Sequence, residues 1–155
     1  MITFSDLNKI LLINYSKKDI HIIIKAFHFA TEAHKGQKRG TGEEYIYHSI
    51  ATAYNLAKMK MDIPSIAAGL LHDVPEDTDF TLEDIKNNFG KEIYYLVRGV
   101  TKLSVLKYRG FERYAESLRK MFLAMSKDLR IIIIKLADRL HNMETLEGVK
   151  EEKRE

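Results

Sequence analysis

The sequence predicts an all-α fold, and three observations carry that reading. Apolar residues recur at helical spacing in one segment after another, as Ile20, Ile23, Ile24, Phe27 and Ala30 do. Only two prolines occur in 155 residues, and both punctuate the pattern. No segment offers itself as a convincing partner for the one stretch that resembles a strand.

The first predicted helix runs from Asp19 to about Lys35, where Gly36, Gly40 and Gly42 make 36–45 a loop. His48 opens the next helix, which passes through Ala51, Leu56 and Ala57 to about Lys60. Asp62 then supplies an N-cap and Pro64 an early helical proline for a helix that carries Ile66, Leu70 and Leu71 into His72. Pro75 is expected to end it, because the residue before a proline is pushed out of the helical region.

Thr81 and Asp84 form a capping box with Asp in place of Glu, and Gly90 after Phe89 is a C-cap, so a short helix lies between them. Ile93, Leu96, Val97 and Val100 make another helical face, and Leu118, Met121, Phe122 and Met125 one more. The segment RIIIIKLADRLHNM at 130–143 is ambiguous. Its four consecutive isoleucines favour a strand, whereas Ile132, Leu136, Leu140 and Met143 keep helical spacing; the lack of a partner strand decides for helix.

A chain of 155 residues fits one domain, read here as 1–155 with a motif-bearing core at about 34–146 and a charged tail at 147–155. With no cysteine, disulfides and thiolate-bound zinc are excluded, and any metal takes nitrogen and oxygen ligands. No apolar stretch is long enough for a bilayer and no signal core opens the sequence, so a cytoplasmic protein is expected. The net charge of +3 does not argue for nucleic acid. Its distribution is uneven: the segment from Glu144 to Glu155 holds five acids and three bases. Basic groups cluster at Lys35, Lys38 and Arg39 and again at Lys102, Lys107 and Arg109, where a solvated surface is an equal reading.

The chemistry concentrates in HDVPEDT at 72–78. A His-Asp doublet can ligate a metal, and the Glu76–Asp77 pair can move a proton. Asp138 lies on an apolar segment where an uncompensated charge is costly. Two imidazoles, His48 and His72, with two carboxylates, Asp73 and Asp138, leave coordination positions for water and substrate, which suits Mn²⁺, Fe²⁺ or Mg²⁺. Each residue alone has a blander account. A buried histidine is commonly a hydrogen-bonded core residue, Asp138 could pair with Arg139 or Arg130, and the acidic pair could be a turn before a helix cap.

HDVPEDT, YIYHS at 45–49, GVTKL at 99–103, LRKMFLAM at 118–125 and IKLADRLHNMETL at 134–146 together resemble the hydrolase domain of the RelA/SpoT family, within the HD phosphohydrolase superfamily. The resemblance implies an HD-domain helical bundle with one Mn²⁺ that cleaves the 3′-pyrophosphate from guanosine tetra- or pentaphosphate. It implies His48, His72, Asp73 and Asp138 as metal ligands and Glu76 and Asp77 as the catalytic acids. Arg39 matches the position that packs against guanine, Asn142 and Thr145 match nucleotide contacts, and Lys102 and Arg119 are further matches. The expected partner is the guanine nucleotide alarmone, with neither nucleic acid nor membrane, and a homo-oligomer is compatible.

The chain departs from the family pattern at Pro75 inside the HD motif, at Ser49 and Glu44 where proline is usual, at Gly40 where a second base is often found, and at Glu144 in place of arginine. Two of these change the charge near the expected nucleotide. A phosphohydrolase for another nucleotide or phosphate ester, and a non-catalytic nucleotide- or partner-binding module, are the alternatives. Family domains continue past the TL of the last motif, so a minimal hydrolase, one completed by a partner and a shortened relative are all consistent with the sequence.

Overall fold

The computed structural model describes residues 2–104, 119, 123 and 127–145. Seven helices appear among them: α1 (Phe4–Asn14), α2 (Lys17–Ala33), α3 (Ile46–Lys58), α4 (Ile63–Leu71), α5 (Val74–Asp77), α6 (Leu82–Ser104) and α7 (Leu129–Glu144). The described residues contain no strand, only an isolated antiparallel bridge between Lys38 and Glu44. None of these helices is long and apolar enough to cross a membrane.

The centre of the fold is α4. Eight of its nine residues are buried, and it packs against α2, α3, α6 and α7. Its start is set locally, since the Asp62 side chain accepts from Ser65 N at 3.2 Å and Pro64 occupies the first turn, where no N–H is needed. Around it Ile23, Ile66, Leu70, Leu96 and Ile134 are fully buried. Each such side chain contributes roughly 1.5–3 kcal/mol by leaving water.

The long segment α6 is two helices joined at Gly90, whose backbone (φ 84°, ψ 178°) is non-helical and left-handed. The expected break is therefore present, and the capping box before it forms as well: Thr81 N donates to Asp84 Oδ2 at 2.7 Å and Asp84 N to Thr81 Oγ1 at 3.2 Å. Beyond the break, Gly99 lets α6 and α7 approach closely; a Cβ there would lie 2.4 Å from Ile131 Cδ1.

Residues 130–143 are helical. Asp128 caps α7 by accepting from Arg130 N at 2.9 Å, and Ile131, Ile132, Ile134 and Ala137 fill its buried face.

Two local expectations differ from the structure. Helix α4 stops at Leu71, three residues before Val74, and Pro75 instead sits in the first turn of α5, where its missing N–H has no helical partner to lose. Helix α1 was not foreseen, although Thr3 and Asp6 cap it as Thr81 and Asp84 cap α6, with Thr3 N donating to Asp6 Oδ2 at 3.1 Å. Leu7 and Leu11 of α1 are fully buried, and Phe4 stacks on Phe27 of α2 with centroids 4.0 Å apart. The predicted helix through Leu118 and Met125, with Lys107 and Arg109, lies outside the described residues.

Candidate metal centre and active site

Four side chains from three places in the sequence converge beneath the end of α4. His48 comes from the first turn of α3, His72 and Asp73 from the turn between α4 and α5, and Asp138 from the buried face of α7. His48 Nε2 lies 3.2 Å from Asp138 Oδ1 and 3.4 Å from Asp73 Oδ2. His72 Nε2 lies 3.1 Å from Asp73 Oδ1 and 3.8 Å from Asp138 Oδ1. Ligand atoms of His48, His72 and Asp138 all fall within 4.8 Å of one another.

The orientation of His72 is fixed from behind. Its Nδ1–H donates to the Gly69 carbonyl at 2.9 Å, so the second nitrogen faces the cluster. That Nε2 is fully buried and makes no hydrogen bond among the described residues, although two carboxylates surround it. Donors held about 2.1 Å from one ion stand roughly 3.0–3.4 Å apart, close to most of the separations here. The donor set and the unpartnered nitrogen therefore fit a divalent cation, with nitrogen and oxygen ligands only.

Electrostatics lead to the same fit. Burial alone would raise the Asp73 carboxyl, but His72 and His48 beside it hold it well below the usual range. Asp138 behaves alike: burial opposes ionisation, and His48, His72 and Lys135 override it. Burial would lower His72, yet Asp73 and Asp138 push it up to about 10. A buried carboxylate, Asp138, and a partly buried one, Asp73, thus demand positive charge at this point.

A layer of supporting groups surrounds the four. Lys135 Nζ donates to Asp138 Oδ2 and Asn142 Nδ2 to Asp138 Oδ1, each at 2.7 Å. The Asn142 oxygen accepts from Arg39 Nη2, and Arg39 Nη1 donates to Thr145 Oγ1 at 3.3 Å. Arg39 reaches α7 because residues 36–45 fold as a tight hairpin, with Arg39 N bonded to Glu43 O at 2.8 Å and Gly42 in the left-handed region at φ 87°. The three residues matched to nucleotide contacts are thereby joined to one another and to Asp138.

Glu76 and Asp77 are exposed on α5, immediately after the His-Asp doublet. Asp77 Oδ2 lies 2.7 Å from Tyr45 Oη, which also lies 2.9 Å from Asp73 Oδ2. Tyr45 and the buried His34 stacked on it were given no role by the sequence; the short spacing of Tyr45 from His48 was the available signal. Burial, then the charge of Asp73, keeps the Tyr45 phenol well above its usual pKa, so it remains a donor. His141, half-buried beside His48 with ring centroids 5.2 Å apart, was likewise missed, and its partial burial holds its pKa down. Arg119 is exposed, and Lys102 lines a separate groove of about 390 Å³ with Arg98, Leu103 and Ile131, into which none of the four clustered residues extends.

The bundle and its His-Asp cluster define the class: the model of the family described as HD domain matches residues 26–155, and the chain belongs to that family. Within it, relatives named for (p)ppGpp synthesis and hydrolysis and relatives named GTP pyrophosphokinase both match. The chain is 46% identical over 155 residues to the bifunctional (p)ppGpp synthase/hydrolase SpoT of Escherichia coli strain K12, covering 99% of this chain and 22% of that protein. It is 49% identical over 133 residues to a GTP pyrophosphokinase of Streptomyces coelicolor, covering 86% of this chain and 16% of that one. A solved structure described as "A metazoan ortholog of SpoT hydrolyzes ppGpp and plays a role in starvation responses" is similar with a TM-score of 0.68 and 31% identity, over 90% of this chain and 78% of that one. The chain spans about a fifth of the length of the curated relatives it matches. Their whole-protein names differ, one a synthase/hydrolase and the other a pyrophosphokinase.

Proposed function

We propose that this domain is a metal-dependent guanosine-3′,5′-bis(diphosphate) 3′-pyrophosphohydrolase that converts guanosine tetra- or pentaphosphate to GDP or GTP and pyrophosphate. The observation that carries the reading is the convergence of His48, His72, Asp73 and Asp138 beside the Glu76–Asp77 pair. The relatives named for ppGpp hydrolysis support it.

In this reading the four converging residues hold one divalent ion, Mn²⁺ before Fe²⁺ or Mg²⁺, which supplies Lewis acidity at the phosphoryl group. Glu76 and Asp77 take the proton from the attacking water. The bond between phosphorus and the ribose 3′ oxygen breaks, and the acid pair returns a proton to that oxygen. Arg39, tethered through both Nη atoms, presents a fixed guanidinium plane to the guanine base. Asn142 and Thr145 hold that plane and line the nucleotide's path. In this reading the protein acts in the cytoplasm.

One observation favours a different nucleotide. The Glu144 carboxylate lies 3.8 Å from His141 Nδ1, at the end of α7 that also carries Thr145, and adds negative charge beside an anionic ligand. A single assay separates the readings: Mn²⁺-loaded protein is incubated with guanosine tetraphosphate and pyrophosphate release is followed, with Asp73→Ala and Glu76→Ala as controls. Release well above both controls is expected. No release from this nucleotide, with Asp73-dependent cleavage of another, would assign the site to that other substrate, and binding without turnover would make the domain a sensor.

A further inference from the structure

We infer that Tyr45 is a positioning residue whose hydroxyl ties the Asp73 carboxylate to that of Asp77 and so sets the acid pair against the metal site. The inference rests on the hydrolase reading for the roles of those two acids. Tyr45 Oη lies 2.9 Å from Asp73 Oδ2 and 2.7 Å from Asp77 Oδ2. The hydroxyl has one proton, so the two bonds alternate, and both carboxylates stay referred to one atom.

That atom is held in place. The Tyr45 ring stacks on His34 at 4.5 Å and 15°, and His34 is itself buried. His34 Nδ1–H donates to Gln37 Oε1 at 2.8 Å, and Gln37 Nε2 donates to the Asp77 carbonyl at 2.6 Å. Tyr45 N completes the circuit by donating to Gln37 O at 3.0 Å. Helix α5 has four residues and packs chiefly on α6, and the hairpin holds its last residue, Asp77. The hairpin grips it twice, at the Asp77 backbone through Gln37 and at the Asp77 side chain through Tyr45. Only the second grip also reaches Asp73.

Two variants separate this role from a merely structural one. Tyr45→Phe keeps the ring on His34 and removes the hydroxyl; Gln37→Ala loosens Asp77 and leaves Asp73 alone. Tyr45→Phe is expected to melt like the wild type without metal, to bind Mn²⁺ roughly 10- to 100-fold more weakly by calorimetry, and to lose kcat with little change in KM. Gln37→Ala is expected to lose kcat and keep its Mn²⁺ affinity. Unchanged Mn²⁺ affinity and kcat in Tyr45→Phe would overturn the assignment. So would an equal loss of Mn²⁺ affinity in both variants, which would mark a general loosening of the hairpin. Wild-type protein that binds Mn²⁺ but releases no pyrophosphate would defeat the nucleotide reading instead, and the Mn²⁺ comparison would still decide the role of Tyr45.

Discussion

Asn142 Nδ2 donates to Asp138 Oδ1 at 2.7 Å, so a residue assigned to the nucleotide also steadies a residue assigned to the metal. The Asn142 oxygen is engaged as well, by Arg39. Replacing Asn142 by alanine leaves both neighbours a partner short. Asn142→Ala is expected to weaken Mn²⁺ binding by about 10-fold, the low end for groups that orient metal ligands, and to raise KM for the nucleotide. Calorimetric titration checks the first effect and initial rates the second; a Mn²⁺ isotherm identical to the wild type would show that the two sites are not coupled through this amide.

Under the proposed hydrolase reading, the acid pair should behave differently from the residues that would hold the metal. Asp77→Asn and Glu76→Gln keep the shape of α5 and remove the proton acceptor, so kcat for pyrophosphate release is expected to fall by roughly 10²–10⁴. Mn²⁺ binding should survive in Glu76→Gln, which separates this loss from that of Asp73→Ala. A Glu76→Gln protein with wild-type turnover would remove Glu76 from the proton path.

Gly90 offers a test of the backbone alone. At φ 84° and ψ 178° it occupies a region open essentially to glycine, while a Cβ added there would meet nothing within 4 Å. Gly90→Ala should therefore lose stability through strain, by about 1–3 kcal/mol in urea denaturation. Gly40→Ala, also in open space and without a left-handed backbone, should stay within roughly 0.5 kcal/mol of the wild type. Equal stability of the two variants would contradict the bend.

Arg130 ties three acids together: Nη1 bonds Asp62 at 2.5 Å and Glu92 at 2.8 Å, and Nη2 bonds Asp128 at 2.8 Å. These contacts span the caps of α4 and α7 and the start of the second half of α6. Hydrogen bonds from Arg130 hold the Asp128 carboxyl below its ordinary value. A depressed carboxyl adds stability that is complete above its unfolded pKa, about 3.9, and that is lost as pH falls through the folded value. Arg130→Met should be less stable than the wild type at pH 7 by about 1 kcal/mol, given partial exposure and screening. It should also lose less on going from pH 5 to pH 3. Melting curves that run parallel for both proteins over that interval would refute this account.

Much of the fold was legible because local chemistry and burial agreed. Asp62 and Pro64 begin α4 where the sequence places them, Gly90 breaks α6, and the isoleucines at 131–134 join a helix because their neighbours Ala137 and Asp138 continue its buried face. Helix α1 was obscured by apolar residues on its outer side, Leu12 at 61% and Ile13 at 80% exposure, which blur the helical period that Leu7 and Leu11 would otherwise show. Pro75 was misjudged because a proline suits the first turn of a helix as well as the end of one.

The clustered histidines and aspartates are legible in the sequence, but the groups that support them are not. Tyr45 meets Asp73 and Asp77 across 28 and 32 residues of chain, and no periodicity announces a hydroxyl placed between two carboxylates; Lys135, one turn from Asp138 on the same helix, had only its i,i+3 spacing as a signal. Arg39 was expected at the base, whereas its ties to Asn142 and Thr145 depend on the hairpin that carries it across to α7.

Asp138, Asn142 and Thr145 follow one another by four and three residues along α7 and share a face. The rigid rod between the first and last is about 10 Å long, so in the proposed hydrolase the helix would work as a gauge with one mark at the ion and another at the nucleoside. A ligand would then be measured against that interval, and one that spanned it badly could satisfy only one mark. Deleting a single residue between 138 and 145 would turn the far mark by about 100°, which would spoil the calibration while leaving every side chain of the set in the protein.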